Sequence, residues 1–141
     1  MIVLDTNIVS EPWRPRPDQR VLGWLEAQPV SSLYLCTPVL AELRFGAESL
    51  DAGSRRDRLR NAIDRLESES YRGRVLSFDG LAAAEYARIA AKRKRVGTSM
   101  EVMDAMIAAI AVIHRAVLAT RDDGDFADLG LELANPFDFG G

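Results

Sequence analysis

The chain has 141 residues, of which 48% are hydrophobic and 28% charged, and its net charge is -3 at neutral pH. This length suits a single domain. No apolar run approaches the length of about 20 residues that a helix needs to cross a bilayer. The weakly acidic balance excludes a globally basic nucleic-acid-binding protein, so any phosphate-binding surface must be local.

The N-terminus and the cysteine content indicate the compartment. The first residues carry no basic leader and the apolar run 2–4 meets a charge at Asp5, so no signal peptide is expected. Cys36 is the only cysteine, which excludes an internal disulfide and a thiolate metal cluster and is typical of a small buried apolar residue. We therefore expect a single domain over residues 1–141, located in the cytoplasm.

Short apolar runs rich in β-formers alternate with longer helical patterns along the chain. The predicted strands are 2–4, 33–36, 75–78, 117–119 and 131–134. The predicted helices are 18–28, 38–50, 54–70, 79–96 and 101–115, with a short one at 123–129. The proline-rich segment EPWRPRPD (11–18) is expected to be an exposed connection. This alternation predicts an α/β fold in which helices flank both faces of a mainly parallel sheet of about five short strands.

Acidic residues follow two of these strands. Asp5 comes directly after the first run, and Asp122 and Asp125 lie in the segment RDDGD after the fourth. A turn or helix cap would explain either position, and RDDGD lacks the ligand spacing of an EF-hand. The alternative is a ligand site, because open parallel sheets bind ligands beyond the carboxyl ends of their strands.

Two further acids lie near the starts of apolar helices. Asp104 is in the first turn of the segment SMEVMDAMIAAIAVIH, whose apolar residues occupy most of the helix circumference. The helix dipole accounts for a carboxylate there, but not for the apolar surroundings. Glu42 lies toward the apolar side of the helix that is predicted at 38–50 and begins at Pro38. The simpler interpretation is that Glu42 forms an ion pair with Arg44 or Arg56 at the edge of that apolar side. Four carboxylates at one sheet end would repel one another unless a divalent cation joined them, and oxygen ligands favour Mg²⁺ or Mn²⁺.

Four segments in a fixed order carry a family resemblance: MIVLDTNIVSE, PVLAELRFG, MDAMIAAIA and LATRDDGDF. Together they resemble the PIN domain, of the VapC and FitB type of bacterial toxin–antitoxin nuclease. The resemblance implies a PIN-like fold and a catalytic, metal-binding quartet of Asp5, Glu42, Asp104 and Asp122. It also implies support from Thr6, Asn7 and Thr120. Relatives often have Asn at the position of Asp122, so Asp125 is the alternative fourth ligand.

The resemblance also implies an activity and partners. The expected activity is Mg²⁺-dependent endonucleolytic hydrolysis of RNA, with Mn²⁺ as a substitute and products that carry a 5′-phosphate and a 3′-hydroxyl. The expected partners are an RNA substrate, a small cognate antitoxin that neutralises the toxin, and a second copy in a homodimer or larger assembly, with no membrane. A PIN-fold nuclease outside a toxin–antitoxin pair, acting in RNA maturation or on structured DNA, is the alternative.

Several other features admit two interpretations. The basic stretches RRDRLR (55–60) and KRKR (92–95) are expected to be solvated helix faces or contacts to an RNA backbone. Trp13 and Trp24 are expected in the core or an interface rather than stacked on bases, and His114 at a helix end rather than in catalysis. A haloacid-dehalogenase phosphatase would need Asp rather than Asn7 two residues after Asp5. A response-regulator receiver would need a central phosphorylatable Asp and a late Lys that are not apparent.

Overall fold

The computed structural model describes residues 1–140 and contains one sheet of five parallel strands. The strands are β1 (Ile2–Leu4), β2 (Leu33–Cys36), β3 (Val75–Leu76), β4 (Val117–Ala119) and β5 (Leu133–Ala134). Their order across the sheet is β3-β2-β1-β4-β5. The short central strand β1 is apolar because it pairs on both sides, with Ile2 opposite both Leu33 and Val117.

Six α-helices connect the strands: α1 (Thr6–Ser10), α2 (Gln19–Ala27), α3 (Thr37–Glu48), α4 (Ser54–Arg65), α5 (Gly80–Arg95) and α6 (Val102–Ile113). Local sequence explains where several of them begin. The side chains of Asp5, Asp18 and Asp79 each accept a backbone N–H at the start of α1, α2 and α5. Pro38 lies in the first turn of α3, where its missing N–H costs nothing.

The order of the strands determines where a ligand site can form. The chain moves outward from β1 to β2 and β3, then returns to the other side of β1 to form β4 and β5. Because parallel crossovers are right-handed, this reversal places helices on opposite faces of the sheet. The carboxyl ends of β1 and β4 border the crevice at which the order reverses, which is where open α/β sheets bind ligands.

Helix α6 supplies much of the core, as its apolar circumference predicts. Ala105 and the run from Ile107 to Ala111 are buried, and the small alanines allow α5 to pack closely along it. Among residues 1–140, no helix is both long and apolar enough to span a membrane.

The predicted fold class is confirmed, but several predicted boundaries are wrong. Strands predicted at 75–78 and 131–134 shorten to two residues each, because only two residues of each pair with a neighbouring strand. The helix predicted at 54–70 is α-helical only to Arg65 and continues as a π-turn over Leu66–Ser70. The short helix predicted at 123–129 is a 3₁₀ turn over Asp123–Phe126.

The segment after β1 differs most from the prediction. Helix α1 was not predicted because its five residues are too few to show a helical period. The connection predicted at 11–18 begins with a 3₁₀ turn over Glu11–Trp13, and Glu11 is buried rather than exposed. The Arg14 guanidinium lies 3.7 Å from the Glu11 carboxylate and accounts for the tolerance of that buried charge.

Candidate active site

Asp5 lies at the carboxyl end of β1 and is only 5% exposed. Its Oδ1 accepts the Thr6 backbone N–H at 2.8 Å, which makes Asp5 the N-cap of α1, and its Oδ2 accepts the Thr120 hydroxyl at 2.6 Å. Burial raises the pKa of Asp5, the two hydrogen bonds partly offset that increase, and the charge of Asp122 adds to it. Asp5 is therefore both a helix cap and part of an acidic site, so the two interpretations of its position are compatible.

Thr6 connects Asp5 to the carboxylate on α3. Its N–H donates to Asp5, and its hydroxyl donates to Glu42 Oε1 at 2.8 Å. Glu42 does not form the rim ion pair that was the simpler interpretation, because the Arg44 guanidinium is bound to Asp64 and Glu67. The half-buried Glu42 instead faces the end of β1.

Thr120, which directly follows β4, connects Asp5 to Asp122 in the same way as Thr6 connects Asp5 to Glu42. The hydroxyl of this fully buried residue donates to Asp5 and accepts the Asp122 N–H at 3.1 Å. The Asp122 carboxylate accepts an N–H from the Asn7 side chain at 3.2 Å. The predicted supporting residues Thr6, Asn7 and Thr120 thus each contact a predicted acidic residue.

Asp104 completes the group from α6. Its pKa is raised to about 6, first by burial and then by the negative charges of Asp5, Glu42, Asp125 and Asp122. We call these five carboxylates, namely Asp5, Glu42, Asp104, Asp122 and Asp125, the acidic cluster. The members of the acidic cluster are far apart in sequence, since three crossover connections lie between β1 and β4. The fold brings them close enough to interact electrostatically.

The two candidates for the fourth position occupy different sides of the acidic cluster. Asp122 raises the pKa of Asp5, whereas Asp125 has a larger effect than Asp122 on the pKa of Asp104. Asp125 also borders a cavity of about 150 Å³ beside Asp104, whose other lining residues are Arg93, Ser99, Met100 and Glu101. Both carboxylates are exposed, and Asp122 remains the predicted fourth ligand because it is hydrogen-bonded to Asn7 and to Thr120.

No Lys, Arg or His of residues 1–140 forms an ion pair with the acidic cluster. Some acids elsewhere are paired, for example Glu48 with Arg60 at 2.6 Å and Asp64 with Arg44 at 3.0 Å. Within the same residues, no three His, Cys, Asp or Glu side chains already form a metal-coordinating group. The carboxylates of Asp5, Glu42 and Asp122 accept hydrogen bonds from neutral donors, which leave their negative charge uncompensated.

Cys36 lies close enough to the acidic cluster to be affected by its charge. It is fully buried at the end of β2, as predicted for a small apolar residue. Its pKa is raised to about 12, mainly by burial and further by the charges of Asp5 and Glu42. A thiol with such a pKa is not a nucleophile at neutral pH.

The other predicted features lie around or away from the acidic cluster. Trp24 is buried in the core, whereas Trp13 is 37% exposed. His114 is exposed at the C-terminal end of α6. It is ten residues after Asp104 and therefore about 15 Å along the helix, so it is not part of the site.

Sequence reasoning missed the contacts that hold the segment after β4. The Arg121 N–H donates to Asn7 Oδ1 at 3.4 Å, and the Asn135 side chain donates to the Arg121 carbonyl at 3.3 Å. The Arg121 guanidinium lies 4.7 Å from the centre of the Phe137 ring. Asn135 before Pro136 indicates a helix cap or a turn. Its hydrogen bond to the Arg121 carbonyl is a tertiary contact, for which the local sequence carries no signal.

Comparisons with known proteins agree with this architecture. The family profile described as PIN domain matches residues 2–131. VapC ribonuclease Y4jK of Sinorhizobium fredii is 43% identical over 138 residues, covering 98% of this chain and 99% of that protein. Toxin FitB of Neisseria gonorrhoeae is 38% identical over 137 residues, covering 97% and 99%.

A solved structure, FitAB bound to an IR36 DNA fragment, contains a chain that superposes with a TM-score of 0.91 at 36% identity. The match covers 100% of this chain and 99% of that one. Since a family profile spans most of the sequence and two full-length relatives exceed 30% identity, this chain belongs to the PIN-domain family.

Proposed function

We propose that this chain is the ribonuclease toxin of a toxin–antitoxin pair and hydrolyses RNA phosphodiester bonds at the acidic cluster with the help of Mg²⁺ or Mn²⁺. Asp5, Glu42, Asp104 and Asp122 are the proposed metal ligands, with Asp125 as the alternative to Asp122. The observation that carries the proposal is a set of five carboxylates at the switch point of the sheet that have no cation partner within residues 1–140.

The donor set fits a hard divalent cation. Carboxylate oxygens are the ligands that Mg²⁺ and Mn²⁺ prefer, and the acidic cluster contains neither the cysteine nor the histidine typical of zinc sites. A cation held by these carboxylates would supply Lewis-acid chemistry for hydrolysis, namely charge stabilisation at the scissile phosphate and activation of water. The negative charge of Asp122 raises the pKa of Asp5, and the charges of the other four members raise that of Asp104, which is the repulsion that a divalent cation would relieve.

The protein's own side chains prepare this chemistry by fixing the carboxylates in advance. The Thr120 hydroxyl accepts the Asp122 N–H and donates its single proton to Asp5 Oδ2, which orients the Asp5 carboxylate. The Thr6 hydroxyl donates to Glu42 Oε1 and orients that carboxylate. Such neighbours of metal ligands orient them and tune their basicity. None of these residues serves as a covalent nucleophile.

Substrate binding requires positive charge next to this negative site. The C-terminal turn of α5 carries Lys92, Arg93, Lys94 and Arg95, and Arg93 borders the same cavity as Asp104. We propose that the exposed members of this turn contact RNA phosphates. The stretch at 55–60 is a weaker candidate, because Arg60 is already bound to Glu48 by two hydrogen bonds of 2.6 Å.

The partner assignments rest on the relatives. One relative is named a VapC ribonuclease, another is named toxin FitB, and the superposed structure is a FitAB complex on DNA. We propose that this chain likewise binds a small cognate antitoxin that neutralises it, forms a homodimer or larger assembly, and acts in the cytoplasm. A PIN nuclease outside such a pair would cleave RNA or structured DNA without a neutralising neighbour.

Cleavage of total cellular RNA by the purified chain tests the activity. With Mg²⁺ or Mn²⁺ we expect discrete products that carry 5′-phosphate ends, and EDTA or the substitution Asp5→Asn should abolish them. Glu48→Gln is the matched control, since it removes a carboxylate of an exposed ion pair outside the site. Equal cleavage by wild type and Asp5→Asn would contradict the proposed site.

The toxin–antitoxin assignment has a separate test. The product of an adjacent small gene should form a stable complex with this chain and suppress both RNA cleavage and growth arrest. Cleavage that persists in a saturated complex, or the lack of any such neighbouring gene, would favour a PIN nuclease outside a toxin–antitoxin pair.

A further inference from the structure

The four basic residues at the end of α5 do not share one environment. Lys92, Lys94 and Arg95 are exposed, whereas Arg93 is half-buried and turned toward the protein. Its Nη2 donates to the Asp125 carbonyl at 3.0 Å and to the Ala127 carbonyl at 2.8 Å, across 32 and 34 residues of sequence. One guanidinium group thus joins the end of α5 to the loop after β4.

The backbone of Arg93 is itself fixed by the way α5 ends. The Thr98 N–H donates to the Arg93 carbonyl at 2.9 Å, and the Gly97 N–H donates to the Lys94 carbonyl at 3.2 Å. Gly97 has φ of +77°, so this is the left-handed glycine stop of a Schellman motif. The motif locks the turn from which the Arg93 side chain extends.

The loop that Arg93 binds contains two members of the acidic cluster. The 3₁₀ turn Asp123–Phe126 and its two flanking residues, together called the 122–127 turn, include a hydrogen bond from the Asp125 N–H to the Asp122 carbonyl at 3.0 Å. At one end of the turn, the Asp122 N–H donates to the Thr120 hydroxyl next to β4. At the other end, Arg93 of α5 donates to the carbonyl of the exposed Asp125. Asp125 and Arg93 line one cavity with Asp104.

Both hydrogen bonds of Arg93 go to backbone carbonyls, and it forms no ion pair with any carboxylate of residues 1–140. An arginine selected only to attract RNA phosphates would be expected to extend into solvent, as its three basic neighbours do. A charged donor that grips two carbonyls of one short turn instead restrains the shape of that turn.

We propose that Arg93 is a positioning residue, which clamps the 122–127 turn to the end of α5 and thereby sets the distance between Asp104 and the carboxylates of Asp122 and Asp125. This inference rests on the proposed function, because the distance matters only if these groups share a cation. It assigns Arg93 a different role from the exposed Lys92, Lys94 and Arg95.

The test compares Arg93→Met with Arg95→Met, which removes the same charge and the same side chain from an exposed position of the same helix. We expect Arg93→Met to weaken Mn²⁺ binding about tenfold, measured by electron paramagnetic resonance without RNA, because residues that orient metal ligands have effects of this size. Arg93→Met should also speed amide hydrogen exchange in the 122–127 turn and lower kcat. Arg95→Met should leave Mn²⁺ binding and exchange unchanged and act only on KM and its salt dependence.

Arg93→Lys keeps the charge, but the lysine side chain is about one bond shorter than arginine and lacks the planar guanidinium, so weaker contacts to both carbonyls and an intermediate Mn²⁺ affinity are expected. This variant also keeps the inference testable if Arg93→Met does not fold. If Arg93→Met changes only KM and salt dependence, as Arg95→Met does, Arg93 is a substrate contact and the inference is wrong. If the wild type neither binds Mn²⁺ nor cleaves RNA, the proposed function itself fails, whereas the exchange measurement still reports whether Arg93 restrains the turn.

Discussion

Asp104 has a cost for folding that its role at the site would explain. Its raised pKa of about 6 means that the metal-free fold holds its proton more tightly than the unfolded chain does. At neutral pH the group is ionised in both states, and the folded state carries a buried charge close to other negative charges. Asp104→Asn should therefore abolish cleavage and yet stabilise the metal-free protein by about 1–2 kcal/mol at pH 7.5, after allowance for solvent screening. Urea unfolding measures this difference, and a destabilised variant would contradict the assignment.

The same pKa shift predicts a pH dependence with a definite sign. A group whose pKa is raised on folding contributes stability below its unfolded pKa of 3.8, and this contribution is lost as pH rises through about 6. The stability advantage of Asp104→Asn over the wild type should accordingly be full at pH 7.5 and vanish near pH 4. Unfolding curves of the two proteins at both pH values in EDTA give the result. An advantage that does not change with pH would show that Asp104 does not titrate in this range.

Substitution of Thr120 tests whether its hydroxyl contributes to metal binding as well as to stability. Thr120→Val keeps the shape but leaves an Asp5 oxygen without its donor and the Asp122 N–H without its acceptor. We expect a loss of about 1–3 kcal/mol in the free energy of unfolding and about tenfold weaker Mn²⁺ binding.

Thr37→Val is the matched control for Thr120→Val. The Thr37 hydroxyl accepts the Phe78 N–H at 3.0 Å next to the end of β2, so its loss should lower stability and leave Mn²⁺ affinity unchanged. Equal effects on Mn²⁺ affinity in both variants would show that the Thr120 hydroxyl acts only through stability.

Single residues were predictable to different degrees. Asp5 and Asp122 follow apolar runs and Asp104 lies within an apolar helix, so each has a local signal in the sequence. The hydrogen bonds of Thr6 to Glu42 and of Arg93 to the Asp125 carbonyl join residues 36 and 32 positions apart. Such pairings depend on how the helices pack, and no local pattern of one sequence contains them.

Two glycines of the helices have opposite requirements. Gly97 ends α5 at φ of +77°, a conformation that costs a residue with a side chain about 1–2 kcal/mol. Gly46 is inside α3, and an added Cβ there would meet no atom within 4 Å. Gly97→Ala should therefore lower the free energy of unfolding by about 1–2 kcal/mol, and Gly46→Ala should raise it by about 0.5–1 kcal/mol. Thermal melts of both variants measure these changes in stability. Stabilisation by Gly97→Ala would contradict the helix stop described for α5.

At the scale of elements, length decided what could be predicted. The 12 residues of α6 show their burial pattern clearly, and the five of α1 show no period at all. Strands β3 and β5 were predicted in the right places but too long, because strand pairing covers only part of each apolar run. The helix predicted at 79–96 ends at Arg95, and Gly97 in the left-handed conformation follows it.

At the scale of the whole molecule, the strand order brings the acidic cluster together. β1 and β4 are adjacent in the sheet although more than 110 residues separate them, and their carboxyl ends deliver Asp5, Thr120 and Asp122 to one crevice. Alternation of strands and helices predicts such a parallel sheet, whereas the order of its strands was not predicted, because periodicity does not say which strands are neighbours. Fold alone does not specify a substrate, so the chemistry must be tested at the site.

A cation that binds only the folded state must stabilise it. Saturating Mg²⁺ or Mn²⁺ at 100 times its dissociation constant should stabilise the wild type by about 2.7 kcal/mol. The same addition should have little effect on Asp5→Asn. Thermal melts with and without metal at pH 7.5 measure the effect, and an equal rise in both proteins would indicate nonspecific binding elsewhere.

The central claim is that the carboxylates at the end of β1, β4, α3 and α6 are left without cation partners in order to receive a divalent ion. Direct titration of the antitoxin-free protein with Mn²⁺ tests it, with wild type, Asp104→Asn and Glu48→Gln compared at pH 7.5 and the wild type repeated at pH 5. We predict saturable binding by wild type and Glu48→Gln at pH 7.5, with loss of affinity in Asp104→Asn and at pH 5, where Asp104 is protonated. Saturable binding of equal affinity in Asp104→Asn, or no binding by a folded wild type, would contradict the claim.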